Sequence, residues 1–170
     1  GAALPHTHMS PENPGQAVAS RPAKPTLAIG ATVDAQGRIW LARVENRTLL
    51  VSHSADDGQH FSAPVTVNAE PENIGAEGEN RPKIAVTRNG TVHLTWTLLL
   101  PQPYTGEIRY ARSTDGGKTY SAPITINDDK RLTSHRFDSL VSDSGDRLAI
   151  VWLDGRDRDA AKEQGVAYAG

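Results

Sequence analysis

Cysteine is absent from this 170-residue chain. That excludes disulfides, thiol nucleophiles and cysteine-ligated zinc or iron–sulfur centres. No apolar run approaches the ~18 residues that a membrane-crossing helix needs. Charge of one sign is lacking too: 18 Lys and Arg face 20 Asp and Glu, for a formal net charge of −2. Nothing in that balance points to nucleic acid or to an anionic membrane as partner. There is no Gly-rich phosphate loop, no G-x-S-x-G elbow and no heptad pattern. No cofactor is implied, and no metal: His53, His60, His93 and His135 lack ligand spacing and read as surface or cross-strand residues. His6-Thr7-His8-Met9 carries copper-binding residue types, but it reads as a terminal tail.

What is present is a repeat. Ser54-Ala-Asp56-Asp-Gly58-Gln-His-Phe61 returns as Ser113-Thr-Asp115-Gly-Gly117-Lys-Thr-Tyr120, 59 positions on, and Ser-Ala-Pro follows both copies. The common pattern is S-x-D-x-G-x-x-aromatic. An Asp carboxylate can accept the backbone N–H groups of its own turn, and Gly supplies a positive φ. The aromatic is expected to bury the hairpin against the next layer. Turn chemistry at a fixed offset is the signature of a repeat architecture.

Around these turns the chain alternates short apolar stretches with turn residues. Residues 1–25, with five prolines, read as an irregular lead-in. The first repeat gives strands at 26–29, 38–44, 49–53 and 63–67. The second gives 83–87, 91–97, 107–112 and 122–126, with Asn89-Gly90 as a hairpin signal. The third gives 137–141 and 147–153, followed by a loop over 154–165. Trp40, Trp96 and Trp152 fall on second strands and are expected to pack between layers. Asn46-Arg47-Thr48 and Asn89-Gly90-Thr91 match the N-glycosylation sequon.

The S-x-D-x-G-x-x-aromatic pattern resembles the Asp-box, or BNR repeat, of the sialidase family and its β-propeller relatives. The resemblance covers about 150 of the 170 residues. It implies an all-β fold: a sialidase-like β-propeller segment of four-stranded antiparallel blades, part of a six-bladed propeller. On that view 26–170 form the partial propeller, with blades at about 26–68 and 81–127 and a third starting at 136–170. The remaining blades of a longer protein become the first partner. A chain that does not open on Met suits a fragment or a processed mature end. A periplasmic or secreted location accompanies the resemblance.

Antiparallel order puts the Asp-boxes at one end of each blade and the longer loops at the other. Arg21, Arg81 and Arg136 precede or open first strands at that loop end. Sialidases place arginines around their mouth to grip a sialic acid carboxylate, with a first Arg in an Arg-Ile-Pro motif. Arg81-Pro82-Lys83-Ile84 and Arg136-Phe137-Asp138 look like variants of it, and Asp154-Gly155-Arg156-Asp157 resembles a further sialidase stretch. The resemblance thus implies Arg81, Arg136, Arg21 and Arg156 as substrate-binding residues for an acidic sugar, and Asp154 or Asp138 as the acid. Ser54, Asp56, Gly58, Phe61, Ser113, Asp115, Gly117 and Tyr120 are structural. The other reading of the arginines is a bridge between blades through a neighbouring carboxylate. The Tyr–Glu nucleophile pair of that family has no persuasive counterpart among Tyr104, Tyr110, Tyr120 and Tyr168. Two functions are therefore carried forward: a sialidase-like glycoside hydrolase, or a non-catalytic propeller that binds a glycan or protein.

Overall fold

The computed structural model describes residues 28–165 and Ala167. The lead-in, with Arg21 and the His6–Met9 run, lies outside the described residues, as does Tyr168. Strands β1 (Ile29–Val33), β2 (Ile39–Glu45), β3 (Thr48–Ser54) and β4 (Val65–Thr66) form an antiparallel sheet in chain order. Strands β5 (Lys83–Val86), β6 (Val92–Leu99), β7 (Gly106–Ser113) and β8 (Ile124–Thr125) repeat that arrangement. β9 (His135–Ser142) and β10 (Leu148–Asp154) begin a third sheet as an antiparallel pair. The chain is thus mostly β, with α1 (Arg156–Glu163) as its single α-helix among the described residues.

The expected strands are found, with shifted ends. The first runs up to the Asp34 turn instead of stopping at Ile29. The fourth strands shrink to two residues each, because an asparagine side chain replaces the next rung of the ladder. Leu49 N–H donates to Asn68 Oδ1 at 2.7 Å, and Ile108 N–H donates to Asn127 Oδ1 at 3.0 Å. The loop expected over 154–165 is largely helical. Asp157 and Asp159 occupy its first turn and Lys162 its last, each on the favourable end of the helix dipole. Asn89-Gly90 belongs to a longer turn, with only Gly90 at positive φ. It is Asn46-Arg47, at φ 49° and 64°, that supplies the paired left-handed residues of a tight hairpin.

The S-x-D-x-G turns join third to fourth strands in both full sheets. Ser54 Oγ donates to Asp56 Oδ1 at 2.7 Å and accepts from Gly58 N–H at 3.0 Å, while His60 N–H donates to Asp56. Ser113, Gly117 and Thr119 repeat this around Asp115. The Thr119 hydroxyl and backbone N–H lead the donors that hold the Asp115 carboxyl well below its ordinary value. These turns pack unequally. Gly117 (φ +82°) sits so close to the Trp40 ring that a Cβ there would lie 2.7 Å from it, and Tyr120 packs against the core. Phe61, expected to bury its hairpin, is 41% exposed, because no described sheet lies on its side.

Trp40, Leu49, Leu94 and Trp96 form the centre of the core between the two full sheets. First strands pack on one another: β1 on β5, and β5 on β9. Gly30 makes the first contact possible, since a side chain there would strike the Pro82 carbonyl. Trp152, expected to pack between layers like Trp96, is only half-buried, since β10 is an edge of its two-stranded sheet among the described residues.

Candidate functional site

The loop end of the three sheets gathers two groups of ionisable residues. The register places both S-x-D-x-G turns at the other end, because Ser54 pairs with Ile39 and Ser113 with Val92, whereas His135 pairs with Asp154.

The first group surrounds a shallow groove between β1, β5 and β9, lined by Gly30, Arg81, Pro82, Lys83, Ser139 and Leu140 among others. A 3-10 turn, Gly78–Asn80, delivers Arg81 to its edge. The Arg81 guanidinium is half-exposed and loosely held, with Glu79 Oε2 and the Gly78 carbonyl each 3.4 Å away. Lys83, two residues on, opens β5 and lines the same groove. Its ammonium donates to the Arg81 carbonyl at 2.6 Å and the Glu79 carbonyl at 2.8 Å. Burial pulls the Lys83 pKa down, and Asp138, 3.9 Å away, opposes that shift. Asp138 itself is buried, and one of its oxygens accepts the Thr95 hydroxyl.

A bulge in β9 produces this placement. Arg136 pairs with Leu153 and Ser139 with Val151, so two residues of β9 face one of β10, and Phe137 sits at φ 57°. The extra residue re-aims the next side chain along the strand, that of Asp138. Arg136 stacks on the Phe137 ring, with its Cζ 4.9 Å from the centroid, and its Nε is buried without a hydrogen bond.

The second group joins the β8–β9 connection to the end of β10. Arg156 donates to Asp154 Oδ2 through Nε at 2.8 Å and through Nη2 at 2.5 Å, and Nη2 also lies 2.6 Å from Asp128 Oδ1. Burial alone would raise the Asp154 pKa, but the Arg156 contacts outweigh it and hold the carboxyl below its usual value. His135 is wholly buried, with Nε2 2.7 Å from Asp129 Oδ1 and 3.6 Å from Asp154 Oδ2. His135 is therefore not a surface residue, but it is a cross-strand one, paired with Asp154 in the β9–β10 ladder. The same partial correction applies to His93, since it is buried with Nδ1 2.8 Å from the Tyr110 hydroxyl.

Arg81 and Arg136 thus stand at the start of adjacent first strands at one end, with Asp138, Asp154 and Arg156 beside them. Arg156 is committed to two carboxylates, whereas Arg81 is free to turn outward. Lys83 was not singled out from the sequence, although its period-2 spacing from Arg81 was visible there. Glu72, in the connection between the first two sheets, accepts Arg109 Nη2 at 2.7 Å and Nε at 3.2 Å on Oε1 and the Trp96 Nε1–H at 2.8 Å on Oε2, pinning its loop to the second sheet.

No protein-family description matches the chain, and no curated protein matches it in sequence. Solved structures do. A protein of unknown function from Dyadobacter fermentans matches at TM-score 0.51 and 19% identity, over 72% of this chain and 32% of its own. The α-L-arabinofuranosidase Arb93A from Fusarium graminearum matches at 0.56 and 15%, over 78% and 41%. NanB, a sialidase of Streptococcus pneumoniae, matches at 0.50 and 16%, over 71% and 18%. At such identities the likeness shows the fold alone: stacked four-stranded antiparallel sheets of the kind found in these glycosidases. The chain spans less than half the length of each of these structures.

Proposed function

We propose that this chain is part of a sialidase-like, propeller-type glycoside hydrolase and contributes the cationic side of a pocket for an acidic sugar. The observation that carries the reading is that Arg81 and Lys83 line one groove between first strands. A loosely held guanidinium at a groove edge suits a sugar carboxylate, which a planar, permanently charged group can grip through two parallel bonds. Arg136, stacked and lacking a partner at Nε, is the second candidate contact. The repeated Ser-Asp-Gly turns and the likeness to two glycosidases in fold support the same class.

One observation favours the second reading, a segment that binds without catalysing. A general acid needs a raised pKa and access to the leaving oxygen. Asp154 is clamped by Arg156 in its ionised form, and Asp138 is buried against Thr95 and Lys83. Catalytic groups would then come from further sheets. Saturation-transfer NMR of the whole chain with sialic acid and with galactose tests the grip. Sialic acid alone should give transfer, and Arg81→Ala should weaken its binding about tenfold or more. Equal transfer from both sugars, or none from sialic acid, would remove the acidic-sugar reading. The chain by itself is expected to leave a fluorogenic sialoside uncleaved.

A further inference from the structure

We infer that Asp129, His135 and Asp154 form a site for a divalent cation, held at the junction of the β8–β9 connection, the first residue of β9 and the last of β10. The argument starts from His135. Its side chain is completely buried, and Nδ1 lies 3.0 Å from the Gly106 carbonyl, which can only accept, so Nδ1 carries a proton. In the neutral ring Nε2 is therefore a lone pair, and it points at two carboxylates. Neither Nε2 nor either Asp129 oxygen makes a hydrogen bond, although all three atoms are shut off from solvent. With the ring neutral, three buried acceptors converge with no donor between them, an arrangement that is costly unless a cation supplies the missing charge, either a metal ion or a second proton that lets Nε2–H donate to Asp129 Oδ1.

The geometry has the features of a ligand set. One atom from each residue lies within 4.8 Å of the others. A histidine that gives its far N–H to a backbone carbonyl while its near nitrogen faces carboxylates is the usual outer-sphere arrangement of metal-bound imidazole. Arg156 fits as the outer partner of the Asp154 carboxylate, with its Nη2 3.9 Å from Asp129 Oδ1. Charge agrees: Asp128, Asp129 and Asp154 against Arg156 leave two negative charges, which one dication neutralises. A single imidazole with carboxylates favours Zn²⁺, a borderline ion, or Mn²⁺, a hard ion suited to the carboxylates that also accepts imidazole, over Ca²⁺ or Mg²⁺. Bound there, the ion would fasten the connection to the third sheet without depending on the sugar reading above.

The experiment uses the whole chain carrying His6→Ala and His8→Ala, which removes the terminal histidines as competing ligands. Equilibrium dialysis against ZnCl₂ or MnCl₂ followed by elemental analysis should find one ion per chain, and MgCl₂ should give none. Asp129→Asn should weaken binding more than tenfold, whereas Glu70→Gln, exposed in the β4–β5 connection and outside this cluster, should retain it. Long-range ¹H–¹⁵N NMR of the unmutated site should show the His135 Nε2 resonance moving as Zn²⁺ is added. Sub-stoichiometric metal, equal binding by Asp129→Asn, or a His135 Nε2 unmoved by excess Zn²⁺ would each overturn the site. The NMR arm stays decisive if Asp129→Asn fails to fold.

Discussion

Two glycines with the same turn role differ in what surrounds them, and that difference is measurable. Gly58 and Gly117 both hold left-handed backbone, at φ +83° and +82°. A Cβ on Gly58 would meet only Ile39 and Phe61 at ordinary contact distance, whereas on Gly117 it would press the Trp40 ring. Gly58→Ala should therefore cost about the 1–2 kcal/mol of left-handed backbone. Gly117→Ala should add roughly 1–3 kcal/mol of overpacking, and urea unfolding of the two variants compares them directly. Equal losses would mean that Trp40 yields without cost. Asp34, beside that tryptophan, gives a pH prediction. Burial pushes its pKa up, but the Trp40 Nε1–H at 2.9 Å and the Arg38 N–H and guanidinium bring it below the ordinary value. A depressed folded pKa contributes stability above the unfolded value of about 3.9, which is lost as pH falls through the folded one. Asp34→Asn should flatten the fall of melting temperature below about pH 4 and lower stability at neutral pH.

At the scale of the element, what was legible is what local chemistry dictates. The serine, aspartate and glycine of each turn could be read because every bond they make lies within about five residues. Strand existence followed from alternation. The ends of β4 and β8 did not, because they depend on side-chain amides reaching 19 residues back. Even so, a signal was there: Thr66-Val67-Asn68 and Thr125-Ile126-Asn127 repeat at the 59-residue offset of the serines. Each asparagine accepts a strand N–H and donates to the connection beyond it, Asn68 to the Glu70 carbonyl at 2.8 Å and Asn127 to that of Asp129 at 3.1 Å. Asn127→Ala leaves the buried Ile108 N–H unpaired, at a cost of about 1–3 kcal/mol. It also frees the segment that carries Asp129. Amide exchange should accelerate at Ile108 and across 128–133, and spread no further than that if the asparagine acts as a local pin.

At the scale of the molecule, each sheet hides one face under its neighbour, and among the described residues the series runs to the third. β10 alternates strictly, with one face only half-buried and the other turned outward. Val151 and Leu153 on that outward face are more than 60% exposed, and Val141 on β9 is 58% exposed. These are the residue types that fill the interior between the first two sheets, where Val51 and Leu49 are buried. Contiguous apolar surface of this kind on a small chain favours association. Trp152, recognisable as a core residue in sequence, sits half-buried on the other face with Ile150, because β10 is an edge of its sheet among the described residues, whereas Val151 and Leu153 lie on the face that a following sheet would meet. A fourth sheet stacked as the second is on the first would cover this face, as the propeller reading requires. Without one, the chain should bind a hydrophobic dye such as ANS and should associate as its concentration rises. Val151→Lys with Leu153→Lys should suppress both effects while leaving thermal stability nearly unchanged, since exposed positions away from special features shift stability by about 0.5 kcal/mol or less. Sedimentation velocity across a concentration series separates the outcomes. If the double variant unfolds instead, those side chains are packed against something, and the third sheet is not the open end of the stack.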